Sequence, residues 1–165
     1  MKNSTVYIET TILSYLASIP SRDIIVQAHQ QITWEWWNNY RKNYDLYISP
    51  IVIQEISRGD IEASKKRKKF INNISILQIS DNITELALKL IKFLGLPKKA
   101  ELDALHLAFA IDYSIDYLLT WNCNHLANGV FIKKLKQFES KESRVIPVIL
   151  TPEELMTGGK ENEME

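Results

Sequence analysis

Three acids and one amide of this chain stand where apolar runs end. Glu9 follows Val6-Tyr7-Ile8 directly and precedes Thr10 and Thr11. Glu55 lies among Ile51, Val52, Ile53 and Ile56 in "SPIVIQEISRG", and Asp103 among Leu102, Ala104 and Leu105 in "KKAELDALHLAFA". Asn122 follows the apolar part of "DYLLTWNCNHLAN". A carboxylate at the margin of a core needs a partner, because burying its charge alone costs several kcal/mol or forces it to protonate. Singly, each acid has an ordinary explanation. Glu9 could cap a following helix with its two hydroxyl neighbours, and Glu55 and Asp103 could be helix-surface acids. Together at one edge of one sheet they would repel unless a cation neutralised them. All-oxygen donors of this kind suit Mg2+ or Mn2+.

The elements that must position these residues follow from periodicity. Short runs rich in branched and aromatic residues predict strands at 5–8, 45–48, 75–79, 116–119 and 145–150. Between them, helical patterns cover 11–17, 24–40, a segment opened by Ser49-Pro50 and closed near Gly59, and a segment capped by Asp60 and running to about Ile71. Further helices run from Asp81 or Asn82 to Gly95 and from Lys98 to Tyr113, and Thr151-Pro152-Glu153-Glu154 forms a capping box. In the second helix Ile25, Ala28, Ile32, Trp36 and Tyr40 share a face; in the helix from Lys98, Leu102, Leu105, Ala108 and Phe109 do. Strands separated by helices, with almost no hairpin signal, predict a parallel sheet of about five strands covered on both faces, a three-layer α/β/α sandwich. In such sheets the functional crevice lies beyond the carboxyl ends of the strands, which is where the acids fall.

Composition bounds the possibilities. The 165 residues are 45% hydrophobic, enough for one domain with a core, read as residues 1–157 followed by a polar, disordered tail at 158–165. Twenty basic and twenty acidic residues cancel, so any attraction for nucleic acid must be local. Cys123 is the only cysteine, which excludes an internal disulfide, and no run reaches membrane-spanning length. The expectation is a cytoplasmic protein without membrane contact.

These segments resemble PIN-domain proteins, particularly the toxin-like branch related to VapC ribonucleases. "VYIETTILSYL" is similar to the family's opening strand, acid and hydroxyl, "SPIVIQEISRGD" to its second acidic segment, and "ELDALHLAFAIDYSIDYLLTWNCNHL" to its third acid and fourth strand. The resemblance covers about residues 5 to 152. It implies a PIN-like α/β sandwich and divalent-metal-dependent hydrolysis of phosphodiester bonds, most often in RNA, by the toxin of a toxin–antitoxin pair. Carried over by position, Glu9, Glu55 and Asp103 become metal-ligating catalytic acids. Thr11, Thr120 and Asn124 support them, and Asn122 takes a fourth position. Two departures stand out: the first acid is usually Asp, and the fourth position is commonly Asp where Asn122 or Asn124 stands here. With three formal charges rather than four, one tightly held ion is expected. The competing reading is a catalytically weakened PIN-like module that binds nucleic acid or a protein partner without cleavage.

Substrate contacts are expected from Arg58, three residues after Glu55, from Arg22 in the loop "PSRD", and from Trp121 as a stacking platform beside Asn122. The run Lys65-Lys66-Arg67-Lys68-Lys69 reads as a solvated helix face. Trp34, Trp36 and Trp37 read as core and homodimer-contact residues, and His106 as a packed histidine near Asp103. Cys123 has no evident base to make it a nucleophile. Expected partners are RNA or other single-stranded nucleic acid, an antitoxin protein, and a second copy of the chain.

Overall fold

A computed structural model describes residues 2–158. Five strands, β1 (Ser4–Ile8), β2 (Tyr44–Ile48), β3 (Ser75–Ile76), β4 (Tyr117–Leu119) and β5 (Val148–Leu150), form one sheet in the order β3-β2-β1-β4-β5, every pair parallel. The connections carry helices α1 (Thr10–Ala17), α2 (Ile24–Asn39), α3 (Pro50–Ile56), α4 (Ile61–Lys68), α5 (Asp81–Leu94), α6 (Glu101–Asp112) and α7 (Gly129–Glu142), and α8 (Pro152–Gly158) follows β5. The result is the expected three-layer α/β/α sandwich. α1 packs on α2, α3 and α4, and α2 on α8, while α5 packs on α6 and α7.

The first strand of the sequence is the centre of the sheet. Val6, Tyr7 and Ile8 are wholly buried, consistent with a strand covered on both faces. The chain leaves β1 in one direction to β2 and β3, and later returns on its other side to β4 and β5. That reversal opens a crevice at the carboxyl ends of β1 and β4. Glu9 and Asn122 both lie there.

Several expectations need correction. β3 ends at Ile76 rather than Ile79; only the Leu77 amide continues the ladder, to the Ile48 carbonyl at 2.8 Å. β5 begins at Val148 rather than Val145, because Pro147 has no N–H to give a strand. A 3-10 turn occupies Lys98–Ala100 before α6 starts, and α3 stops at Ile56, short of Gly59. The buried face of α6 is Ala104, His106, Leu107, Ala108, Phe109, Ala110 and Ile111, with Leu102 and Leu105 only half-buried. On α2 the expected stripe is rotated. Ile25 is 66% exposed, while Gln30, Thr33, Trp36 and Trp37 are buried. The polar members are tolerated because they are paired: Gln30 Nε2 donates to the Ile19 carbonyl at 3.0 Å, and Thr33 Oγ1 to the His29 carbonyl at 2.6 Å. Trp34 is exposed, and the tail beyond Gly158 lies outside the described residues. Helix α7 is unanticipated. Asn128 caps it through the amides of Val130 and Phe131, and only Leu135 and Phe138 of its lysine-rich sequence are buried.

Candidate active site

Glu9 is both the last step of the sheet and the first of a helix. Its amide donates to the Leu119 carbonyl at 3.0 Å, extending the β1–β4 ladder, and its side chain caps α1. The carboxylate is 4% exposed. Its Oε2 accepts from the Thr11 amide at 3.0 Å, Thr11 Oγ1 at 2.5 Å and Thr120 Oγ1 at 2.8 Å. Both hydroxyls are themselves held: Thr11 Oγ1 accepts from the Trp121 amide at 2.9 Å, and Thr120 Oγ1 from the Asn122 amide at 2.9 Å. The capping of α1 and the position at the crevice are therefore met by the same side chain.

Glu55, near the end of α3, is half-buried. Its Oε2 accepts from Thr10 Oγ1 at 2.5 Å and from His106 Nε2 at 2.8 Å. Burial pushes its carboxyl up, but the His106 contact, the Thr10 hydroxyl and the charge of Arg58 outweigh it and hold the group below its ordinary value. His106 is 1% exposed, and its Nδ1 lies 2.7 Å from the Tyr7 hydroxyl, which in turn shares a 2.6 Å hydrogen bond with Ser49 Oγ. Ser49 stands at the N-cap position of α3 without capping it, since its hydroxyl serves Tyr7. For His106, burial favours the neutral ring, yet the Glu55 hydrogen bond and the charges of Glu9, Glu55 and Asp103 raise its pKa above the ordinary value.

Asp103 lies in the first turn of α6, half-buried, and its Oδ1 accepts from Asn122 Nδ2 at 3.1 Å. Burial raises its pKa; His106 and His125 oppose that, and Glu9 and Glu55 add to it. The tightest set of candidate ligand atoms comes from Glu9, Glu55 and His106, all within 4.8 Å of one another, and Asp103 stands outside it. His106 is better read as a brace than a ligand, because Glu55 and Tyr7 already engage both ring nitrogens.

The donor set fits a hard divalent ion. Each of the three carboxylates has one oxygen committed to protein donors: Glu9 Oε2, Glu55 Oε2 and Asp103 Oδ1. Among the described residues, the other oxygen of each makes no hydrogen bond. Acids held in place through one oxygen and bare at the other are what a cation with oxygen preference requires.

Other expected contacts fare differently. Arg58 is exposed, and its charge acts on Glu55. Its carbonyl accepts from Arg67 Nη2 at 2.6 Å, so the basic run of α4 ties down the turn that carries it. Arg22 and Asn124 are exposed, and no side-chain hydrogen bond connects either to the acids. Trp121 is not an open platform. It is 8% exposed, its ring stacks on His29 at 4.0 Å, and its Nε1 donates to Thr33 Oγ1 at 2.7 Å. Burial, then the charge of Glu154, raises the Cys123 thiol pKa, which makes it a poor nucleophile. The bond from Thr10 to Glu55, the pairing of Tyr7 with Ser49 and the two bonds of His106 went unread in the sequence. Two signals were available: Tyr7 shares a sheet face with Glu9, and His106 follows Asp103 by one helical turn.

The model of the PIN domain matches residues 6–122, most of the chain and all of the site. The chain belongs to the PIN-domain family. Solved structures similar to this PIN domain include the VapBC2 complex of Rickettsia felis bound to a DNA fragment from its promoter. That likeness has a TM-score of 0.58 and 18% identity, over 89% of this chain and 98% of that one. VapBC-1 of nontypeable Haemophilus influenzae is similar with a TM-score of 0.56 and 15% identity, over 90% and 98% of the two chains. At such identities the likeness is one of fold. No curated protein matches the sequence. Among the described residues no helix is long and apolar enough to cross a membrane.

Proposed function

We propose that this PIN domain is a Mg2+- or Mn2+-dependent nuclease that hydrolyses phosphodiester bonds in RNA, and that it is the toxin of a toxin–antitoxin pair. The observation that carries the reading is the shared state of the three carboxylates, each pinned through one oxygen and free at the other, at the crevice where the sheet reverses. The ion would supply acidification of a water and neutralisation of charge on the phosphoryl oxygens. Glu9 and Glu55 would hold it, with Asp103 completing the set. Thr11 and Thr120 keep Glu9 in place, and Asn122 orients Asp103. Asp103, whose carboxyl is held above its ordinary value, would meet the ion through a water at Oδ2 and take that water's proton there. Arg58 would meet a substrate phosphate at the mouth. An antitoxin partner is supported by the solved relatives, which are VapBC structures.

Mn2+ titration paired with cleavage of a mixed RNA pool tests this directly. Cleavage that needs Mg2+ or Mn2+ and vanishes in Asp103→Asn is expected. A protein that binds Mn2+ but cleaves nothing would favour the second reading, a PIN module that binds without cutting. One feature supports that alternative: Asn122 brings an amide donor where a fourth charge would stand, and spends an Asp103 oxygen on it.

A further inference from the structure

We propose that His106, braced by Tyr7 and Ser49, is a positioning residue that decides which oxygen of Glu55 is left for a cation. The inference deepens the proposed function and rests on it. A glutamate near the end of a short helix has three side-chain torsions and could offer either oxygen or both. Here two donors from different elements, Thr10 Oγ1 of α1 and His106 Nε2 of α6, converge on the same atom, Oε2. An ionised carboxylate can only accept, so Nε2 carries the ring proton in that contact. The other nitrogen faces the Tyr7 hydroxyl on β1, and Tyr7 meets Ser49 at the start of α3. Tyr7, Ser49 and His106 are essentially without solvent exposure. Buried polar groups are retained when every member is paired, and a row fixed from β1, α3 and α6 cannot rotate one member alone.

The consequence is a Glu55 that binds through one oxygen. Glu9 is restricted in the same way by its own donors on Oε2. Ca2+ takes higher coordination and often a bidentate carboxylate, whereas Mg2+ and Mn2+ accept single oxygens with water filling the remaining positions. The row of Ser49, Tyr7 and His106 therefore selects the smaller ions.

Calorimetric titration of the whole chain with Mn2+ and, separately, Ca2+ tests the proposal, with the melting temperature of each metal-free variant recorded beside it. His106→Leu is expected to weaken Mn2+ binding by about tenfold and narrow its advantage over Ca2+, whereas His106→Gln, whose amide can still donate to Oε2, should recover most of the loss. Tyr7→Phe, which removes one oxygen and keeps the ring, should fall between them, and it decides the matter if His106→Leu does not fold. A packing role alone would lower the melting temperature and leave Mn2+ affinity unchanged. Folded Tyr7→Phe or His106→Leu protein with wild-type Mn2+ affinity overturns the inference. Wild-type protein that binds no Mn2+ instead overturns the proposed function, and this inference with it.

Discussion

Glu9 shows how one side chain can serve structure and the proposed site without conflict. Its Oε2 takes the donors that cap α1 and join β1 to the Thr120 turn, so its Oε1 is spare. Glutamine can reproduce that division, with its carbonyl in place of Oε2 and its amide in place of Oε1. Glu9→Gln should therefore fold with a melting temperature near that of the parent, yet lose the rise that Mn2+ gives the parent by ligand linkage. A Mn2+-induced rise that survives the substitution would remove Glu9 from the ligand set. Asn122→Asp works in the opposite sense. Its amide now meets Asp103 Oδ1 at 3.1 Å, so the substitution sets two carboxylates against each other. The metal-free variant should be less stable by about 1–2 kcal/mol, a half-buried hydrogen bond exchanged for repulsion, and should gain more than the parent from Mn2+. Differential scanning with and without Mn2+ reads both effects. Residues such as Glu9, Thr11 and Thr120 were legible in the sequence because they adjoin strand ends. Thr10 and Ser49 were not, since what they bind is fixed only when α1, α3 and β1 meet.

Among the elements, legibility followed contrast. The strands stood out as branched, apolar runs, and α5 ends as expected at Gly95, which has a φ of +64°. Gly95→Ala meets no neighbouring atom, so its cost should be that of the left-handed backbone alone, about 1 kcal/mol in chemical denaturation. Helix α7 escaped because its apolar residues are few and its lysines many, so its pattern resembles a solvated segment. Its attachment is nevertheless firm: Phe138 is buried and meets Phe93 of α5 edge to face at 5.4 Å. Phe138→Ala should cost about 3–5 kcal/mol, and a loss under 1 kcal/mol would show that α7 is not part of the core. The face of α2 was misjudged for a different reason. Hydrophobicity alone favoured Ile25, whereas Gln30 and Thr33 are buried through hydrogen bonds that no periodicity records.

For the molecule as a whole, alternating strands and helices made a parallel sandwich legible, but not the order of its strands. The cancelling charges of the composition also conceal a local excess of acid that only folding assembles. That assembly has a pH signature in metal-free protein. The raised pKa of His106 gives stability below the ordinary imidazole value of 6.5 that is lost as pH climbs through the folded value. Glu55, held low, contributes above 4.5 and loses that contribution as pH falls through its folded value. Asp103, held high, has the opposite effect, because its ionisation costs stability as pH rises beyond 3.8. Stability of chelator-treated protein should therefore peak between the Glu55 and His106 values and decline as pH rises through the raised His106 value, with a shallower decline in His106→Gln. A flat melting curve series across that range would contradict the pairing.

The central place of β1 also has a meaning in time. It leaves the ribosome well before β4, which it needs and whose flanking Asp116 bonds Thr5 across 111 residues. At about 5–20 residues per second, that partner follows several seconds later at least. Until Thr120 arrives, Glu9 lacks a donor on Oε2 and β1 lacks one side of its ladder, so a chain stopped before Thr120 should be digested rapidly in limited proteolysis. The proposed site therefore stays unassembled while the nascent chain is still emerging from a machine made largely of RNA, the substrate class proposed for it.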